Sequence, residues 1–231
     1  VERIPKTFGM LQFAPGETTR SVQLYGVDAD IMARAAHILC DEFGVHHIDL
    51  NLGCPVPKVT RRGGGGALPW KTDRLAAILK ATVKAADAHG VPITVKTRMG
   101  IDEDHLTYLD AGRIAQDAGV AAIALHARTV QQAYAGEARW EHIARLVEAV
   151  DIPVLGNGDI WEGADALRMV DATGAAGVVI GRGCLGRPWL FRDLADAFDG
   201  RPVQPYPTLG EVATMLRRHA LLLAELHGER W

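Results

Sequence analysis

The stretch that indicates the fold is residues 91–128, VPITVKTRMGIDEDHLTYLDAGRIAQDAGVAAIALHAR. Two short runs rich in Val, Ile and Leu, at 93–100 and 121–128, predict strands. Between them, the segment from Leu106 to Ala118 has the apolar spacing of an amphipathic helix. A strand, a helix and a strand in this order predict two parallel strands joined by a right-handed crossover.

The same alternation extends over most of the 231 residues. Further strands are predicted at 20–26, 46–53, 152–159 and 176–183, and further helices at Asp28 to Phe43, Thr72 to Ala88, Trp140 to Val150 and Gly163 to Thr173. Because 48% of the residues are hydrophobic, the chain is able to bury a large core.

Composition restricts the class of protein. No apolar run is long enough to cross a membrane, and the N-terminus lacks the pattern of a signal peptide. Three scattered cysteines in a chain of this size suit a reducing compartment, so we expect a cytoplasmic protein. A net charge of −3 means that any nucleic acid must bind through a local basic face.

Polar residues stand at or near the carboxyl end of every predicted strand: Gln23, Asp49 with Asn51, Lys96 with Arg98, His126 with Arg128, Asn157 with Asp159, and Arg182. Alternate residues of a strand share one face, so each of these pairs is expected to point the same way. An open doubly wound sheet requires an early G-x-G-x-x-G turn, which is absent. Polar groups on one rim predict instead the mouth of a (β/α)8 TIM barrel.

Six strands are two fewer than this barrel requires. The loops after its last two strands often hold a phosphate, and 155–161 (LGNGDIW) and 179–189 (VIGRGCLGRPW) are both glycine-rich. We therefore expect strands three to eight of an incomplete barrel over residues 1–200, in a chain shortened at its N-terminus. Residues 201–231 are expected to start a C-terminal helical domain.

Several of these residues are candidates for binding. Gly156 to Asp159 and Gly181 to Gly183 could cradle a phosphate with their backbone N–H groups, or simply be tight turns. Lys96 inside a barrel needs an anion, which could be a ligand or a neighbouring carboxylate. For His126, a satisfied core histidine is the alternative to a functional one.

Cys54 stands between Gly53 and Pro55 at the predicted rim, unlike Cys40, which lies in a helix, and Cys184, which follows the last strand. A cysteine thiol is mostly protonated at neutral pH, so Cys54 could act as a general acid, or as a nucleophile beside a base. We expect no metal site, because no C-x-x-C motif is present.

Taken in order, the motifs resemble those of the tRNA-dihydrouridine synthases, and the bacterial branch in particular. They are NLGCPVPKV (51–59), GGGGAL (63–68), VKTR (95–98), LHART (125–129), GNGDI (156–160) and IGRGCLGRPW (180–189). The resemblance implies an FMN-dependent TIM barrel with a helical C-terminal domain that reduces specific uridines in tRNA, with NADPH as the reductant.

The resemblance also implies roles for individual residues. Cys54 matches the proton donor that protonates C5 of the uracil after hydride reaches C6. The positions that match FMN contacts are Gln23, Lys96, His126, Asn157, Gly158, Asp159, Gly181 and Arg182. Asn51 and Arg98 match uracil contacts, and the tRNA backbone is expected to meet Lys58, Arg61, Arg62 and Arg128 near the mouth. The glycines at 63–66 are expected to let the backbone pass close to the substrate.

Two alternatives remain open at this point. One is another FMN barrel oxidoreductase, similar to dihydroorotate dehydrogenase, that acts on a free pyrimidine and has no need of a basic rim. The other is a truncated, non-catalytic barrel that binds RNA or no ligand.

Overall fold

A computed structural model describes residues 8–14 and 16–228, so predictions about residues 1–7, 15 and 229–231 lie outside it. Its strands are β1 (Ser21–Leu24), β2 (His47–Leu52), β3 (Ile93–Arg98), β4 (Ala122–His126), β5 (Val154–Asn157) and β6 (Gly177–Val179). Its α-helices are α1 (Ala29–Phe43), α2 (Pro57–Thr60), α3 (Thr72–Asp87), α4 (Tyr108–Asp117), α5 (Glu141–Ala149), α6 (Gly163–Thr173), α7 (Leu190–Phe198) and α8 (Leu209–His227). Two 3-10 helices span Gly65–Trp70 and Arg182–Cys184.

The six strands form a single parallel sheet whose order follows the sequence from β1 to β6. The predicted parallel alternation of strands and helices is therefore confirmed. A doubly wound sheet reverses direction at a switch point, whereas here every crossover moves the chain in the same direction. With right-handed crossovers, this order places the connecting helices on one face of the sheet, and the other face is not covered by them.

The two faces of the sheet differ in composition. Ile48, Leu50 and Ile123 are fully buried in the hydrophobic core on the helix side. On the other face, the strand register aligns polar residues across neighbouring strands: Gln23 with Asp49, Asn51 with Lys96, Arg98 with His126, and His126 with Asn157. The alternation predicted from the sequence therefore places these side chains on one shared surface.

Helix α1 shows how the sequence sets the element boundaries. The Asp28 side chain accepts a hydrogen bond from Ile31 N at 2.9 Å and caps the first turn. Gly44 ends the helix in the left-handed region, with φ of 55°. Cys40 lies inside the core, where burial raises the pKa of its thiol.

Helix α4 starts two residues later than expected. Gly100 and Leu106 form an isolated bridge, and the N–H groups of Thr107 and Tyr108 both donate to Met99 O. The residues after β3 therefore fold back on the strand before the helix begins. Helical periodicity does not record such a backbone pairing.

The C-terminal segment contains the expected helix, α8, which begins with a capping box between Thr208 and Glu211. Its leucines are largely exposed, Leu216 at 64% and Leu226 at 60%. The assignment of residues 201–231 to a separate domain stays a prediction. No helix in the described part of the chain is both long and apolar enough to cross a membrane.

Candidate active site

A cleft of about 530 Å³ opens at the carboxyl ends of the strands. It collects nearly all of the predicted site residues: Gln23, Asn51, Cys54, Lys96, Arg98, His126, Arg128, Asn157, Gly158, Asp159, Gly181 and Arg182. Lys58, Arg61 and Arg62 are exposed on α2 and the turn after it, and they are not part of the lining. The rim predicted from strand ends is therefore a real cavity, and the basic loop lies beside it.

Asn51 fixes the loop that carries Cys54. Its Oδ1 accepts hydrogen bonds from Gly53 N at 3.1 Å and from Cys54 N at 3.0 Å. This Asx-type turn reverses the chain directly after β2 and places the cysteine in the lining of the cleft. The side-chain oxygen of Asn51 is therefore occupied by the backbone of the cysteine loop.

The glycine run packs against Cys54 itself, and its approach to the substrate stays a prediction. Gly66 N donates to Cys54 O at 3.0 Å. A Cβ at Gly65 would lie 2.6 Å from Cys54 O, and a Cβ at Gly66 would lie 2.3 Å from Cγ2 of Val130. Gly65 also has a φ of 53°. Any side chain here would displace the cysteine loop.

A chain of side-chain hydrogen bonds supports Asn51 from the strand interior. Asn51 Nδ2 donates to Gln23 Oε1 at 2.9 Å, and Gln23 Nε2 donates to Asp49 Oδ2 at 2.7 Å. The hydroxyl of Thr94 donates to Asp49 Oδ1 at 2.8 Å, and His47 bonds to that hydroxyl at 2.9 Å. Each member is oriented by the next, so the position of the Cys54 loop depends on residues deep in the sheet.

Lys96 projects into the cleft without a hydrogen-bond or ion-pair partner among the described residues. Burial, together with repulsion from Arg98, lowers the pKa of Lys96 to about 8, and Asp49 opposes the decrease. The neighbouring carboxylate therefore compensates for only part of the burial. This favours the ligand interpretation of Lys96 over the ion-pair alternative.

Arg98 is a buried connector between two loops. Its Nε donates to Gly53 O at 3.0 Å, and its Nη1 donates to Thr129 O at 3.0 Å and to Ala133 O at 2.7 Å. The first bond holds the cysteine loop, and the other two hold the loop between β4 and α5. The predicted uracil contact of Arg98 would have to use the remaining nitrogen, Nη2.

His126 is a neutral imidazole in a cationic environment. Burial, with added repulsion from Arg98 and Lys96, lowers the pKa of His126 to about 3. Arg128 Nη1 lies 3.4 Å from His126 Nε2. Because a guanidinium can only donate, Nε2 must accept, and the ring proton is assigned to Nδ1. His126 therefore offers the site a donor without adding positive charge.

Two glycine-rich turns meet at the far side of the cleft. Asn157 Nδ2 donates to Val179 O at 2.7 Å and ties the end of β5 to the end of β6. A Cβ at Gly183 would lie 2.2 Å from Ile160 O, so the second turn packs directly on the first. A Cβ at Gly181, in contrast, would meet no atom within 4 Å. The backbone at Gly181 is therefore accessible from the cleft.

Arg128 and Asp159 do not point freely into the cleft. The side chain of Arg128 is 2% exposed, and its Nη2 lies 2.8 Å from both carboxylate oxygens of Asp159. This placement does not favour a contact between Arg128 and the tRNA backbone, since the guanidinium is already occupied. Sequence reasoning treated the two as separate ligand contacts because a pairing between β4 and β5 loops has no local pattern.

Tyr134 is a wall of the cleft that the sequence analysis did not identify. The guanidinium carbon of Arg182 lies 4.7 Å from the centre of its ring, and that of Arg98 lies 5.6 Å away. The residue follows Ala133, whose φ of 50° is in the left-handed region. An aromatic residue in a polar segment (129–137) after a strand end was the available indication, but its direction depends on that turn.

Known proteins that are similar to this chain indicate its family. A family model described as dihydrouridine synthase (Dus) matches residues 1–230. The chain belongs to the dihydrouridine synthase family. It is 56% identical over 230 residues to the "Probable tRNA-dihydrouridine synthase" of Mycobacterium tuberculosis (strain H37Rv), covering 99% of this chain and 59% of that protein. It is 39% identical over 210 residues to tRNA-dihydrouridine synthase B of Vibrio vulnificus, covering 91% and 64%.

The chain thus spans about three fifths of the length of these curated relatives. A solved structure, the mandelate racemase/muconate lactonizing enzyme from Roseiflexus sp., superposes with a TM-score of 0.54 at 15% identity, covering 79% of this chain and 45% of that one. At this identity the likeness concerns the fold alone. It agrees with the parallel strand and helix architecture of the dihydrouridine synthase chain described above.

Proposed function

We propose that the protein is an FMN-dependent tRNA-dihydrouridine synthase that reduces specific uridines of tRNA with NADPH as the reductant. The observation that supports this proposal most directly is that two features line the same cleft. A cysteine held by Asn51 at the end of β2 lies across from a set of unneutralised cations and open glycine backbone. The first feature suits proton donation, and the second suits an anionic cofactor.

The residues present fit a flavin mononucleotide. Lys96 is a desolvated ammonium group without a partner among the described residues, which is unfavourable unless an acceptor arrives. Arg182 is 40% exposed, and its Nη2 lies 3.8 Å from the nearest oxygen of Asp159, so it retains capacity for a phosphate. Gly181 and Asn157 would complete the cradle. Gln23 and His126 would serve the cofactor with an amide and a neutral ring donor.

When bound, reduced FMN supplies the hydride that reaches C6 of the uracil. Cys54 donates the proton at C5 from its Sγ, and the turn made by Asn51 holds that thiol in register. Asn51 Oδ1 is used by the loop, so a uracil contact from this residue would come through its amide nitrogen. Arg98 is oriented by three main-chain carbonyls and would present Nη2 to the base.

A tRNA substrate fits the surroundings of the cleft. The target base must leave its stack to reach Cys54. Lys58, Arg61 and Arg62 are exposed beside the cysteine loop, where the phosphates of a flipped nucleotide would pass. We further propose that strands β1 to β6 correspond to the third to eighth strands of a TIM barrel in a cytoplasmic enzyme, and that α8 belongs to a helical tRNA-binding region.

The test is the dihydrouridine content of tRNA. Total tRNA from a strain that lacks the gene should lose dihydrouridine at one or more positions. Purified protein supplied with FMN and NADPH should restore it, as detected by mass spectrometry of nuclease digests. Unchanged dihydrouridine in the deletion strain, together with no restoration in vitro, would refute the proposal.

A flavoenzyme for a free pyrimidine is the second candidate, and one observation favours it. The basic residues Lys58, Arg61 and Arg62 lie outside the cleft, so the cleft itself does not require a polynucleotide. Replacing all three by Ala separates the candidates. A tRNA enzyme should show a KM for tRNA raised about tenfold or more through lost phosphate contacts, whereas turnover of a free pyrimidine would not change.

A further inference from the structure

The loop between β4 and α5 is held by two arginines on both sides of Tyr134. Arg98 binds the carbonyls of Thr129 and Ala133, as described above. Arg128 donates through Nε to Ala135 O at 3.2 Å and through Nη2 to Gly136 O at 2.6 Å. The carbonyls directly before and directly after the tyrosine are therefore both fixed by a guanidinium.

The loop makes hydrogen bonds of its own, from Ala133 N to Val130 O at 3.1 Å and from Ala135 N to Gln132 O at 2.7 Å, yet parts of its backbone are strained. Ala133 has a φ of 50° and Gly136 a φ of 63°, and the left-handed region is unfavourable for alanine. Tyr134 is 54% exposed and gains little burial from the conformation. The two arginines bind the carbonyls on either side of the ring, so they act together with the loop's own turns to place Tyr134.

Arg128 depends on Asp159 to take this position. A guanidinium that is 2% exposed is unfavourable without a matched anion, and the carboxylate of Asp159 supplies it with both oxygens at 2.8 Å. Asp159 Oδ2 also accepts from Ala138 N at 2.6 Å, at the end of the same loop. The carboxylate of Asp159, in the turn after β5, thus binds both Arg128 at the start of the loop and Ala138 at its end.

We propose that Arg128 and Asp159 form a buried clamp that positions Tyr134 as a wall of the active-site cleft. Both are positioning residues, and neither contacts the tRNA backbone or the cofactor phosphate directly. The proposal rests on the proposed function for its catalytic consequence: a displaced Tyr134 would weaken the binding of the planar pyrimidine that enters the cleft. The clamp itself is independent of that function.

Asp159→Asn is a suitable variant because the substitution is nearly isosteric. Asp159 has a φ of 56°, a region that asparagine tolerates as well as aspartate. The change removes the charge and one acceptor from Arg128 without straining the backbone. Asp110→Asn is the matched control, since Asp110 pairs with Arg113 on the surface at 3.6 Å and both side chains are more than half exposed.

Hydrogen–deuterium exchange of the purified protein tests the clamp without relying on enzymatic activity. In Asp159→Asn, peptides that cover 129–139 should exchange about tenfold faster, while peptides that cover β2 and β3 keep their rates. Arg128→Lys should give the same local result, because an ammonium lacks the planar fork whose separate nitrogens reach Ala135 O on one side and Gly136 O with Asp159 on the other. Unchanged exchange at 129–139 in both variants, or a uniform rise over the whole chain, would overturn the clamp.

A double-mutant cycle with Tyr134→Ala tests whether the clamp acts through the ring. Asp159→Asn should raise KM for tRNA about tenfold with a smaller change in kcat, yet add less than about twofold in the Tyr134→Ala background. Additive effects would show that Asp159 acts by another route and would refute the positioning role. A wild-type protein with no dihydrouridine synthesis would refute the proposed function instead, and the exchange result would still decide the clamp.

Discussion

The two halves of the cleft satisfy their polar groups in opposite ways. In the amide half, formed by Gln23, Asp49, Asn51 and Thr94, each side chain is hydrogen-bonded to another member. In the cationic half, formed by Lys96, Arg98, Arg128 and Arg182 around the neutral His126, Asp159 is the carboxylate that lies within ion-pair distance of the cations, and it is already paired with Arg128.

This difference separates positioning from binding. A network whose donors and acceptors match is rigid, and its outer end holds the loop of Cys54. A set of desolvated cations with too little negative charge is instead prepared for an anion. Arg98 connects the halves, since it binds Gly53 O on one side and Ala133 O on the other. The four predictions below test this division.

Removing the thiol at the end of the amide half should have the largest effect. Cys54→Ala is expected to lower turnover on tRNA by about a hundredfold or more, the usual contribution of a general acid. The cationic half is untouched, so the variant should bind FMN as the wild type does. Steady-state kinetics and a flavin titration check this, with Cys40→Ala as the control, because Cys40 lies in the core on α1 and does not line the cleft. Full activity of Cys54→Ala would end its assignment as the acid.

Disrupting the hydrogen-bond network of the amide half at Asp49 should lower the free energy of unfolding. Asp49→Asn replaces an acceptor for Gln23 and Thr94 by a group that must offer a donor to one of them. We expect a loss of about 2 kcal/mol in the free energy of unfolding, the range for an unsatisfied partly buried hydrogen-bonding group. Urea unfolding measures it, and the exposed Asp110→Asn is the control. A loss no larger than that of the control would mean that the network is not structural.

The charge of Lys96 should make cofactor binding dependent on pH. Because the pKa of Lys96 is lowered to about 8, its ammonium form is present below this pH and is lost above it. The affinity for FMN should therefore fall about tenfold between about pH 7 and about pH 9. Fluorescence titrations check this. The Lys96→Met variant should bind more weakly at neutral pH and should lack the decline, and a wild-type affinity that is constant over the range would contradict the prediction.

His126 should give the smallest effect, through stability at acidic pH. Its pKa is lowered to about 3, so the folded protein stays unprotonated at this site while the unfolded chain binds a proton below about pH 6.5. Stability is therefore lost as the pH falls from about 6.5 towards 3. Between about pH 7 and about pH 5.5 the wild type should lose about 1 kcal/mol more than His126→Gln does. Equal losses in urea unfolding would show that burial and the neighbouring cations do not lower the pKa of His126 in the folded protein.

The sequence carried the architecture because the βα unit is a local pattern. Strands of alternating polarity and helices with amphipathic spacing located β1 to β6 and placed Asn51, Lys96 and His126 at a shared rim. Two contacts lay outside these patterns. The fold-back at Gly100 and Leu106 shortened α4, and the pairing of Arg128 with Asp159 occupies two groups that were expected to contact ligands.

The glycine run at 63–66 shows, within one motif, what the sequence predicts and what it leaves to the tertiary structure. Its composition indicated a close approach of backbone, and the approach exists. The partner is Cys54 O and the side chain of Val130, which are brought there by the turn of Asn51 and by the loop after β4.

By itself, the sequence determined the parallel alternation, the rim of polar residues and the cysteine at the end of β2, since each depends on periodicity or on neighbouring residues. Only the tertiary structure decided which of the rim's charges are free for a ligand. A side chain is free or occupied according to the groups that packing brings within hydrogen-bond distance. Lys96 and Arg128 both stand near strand ends in the sequence, yet only Arg128 has a carboxylate at 2.8 Å.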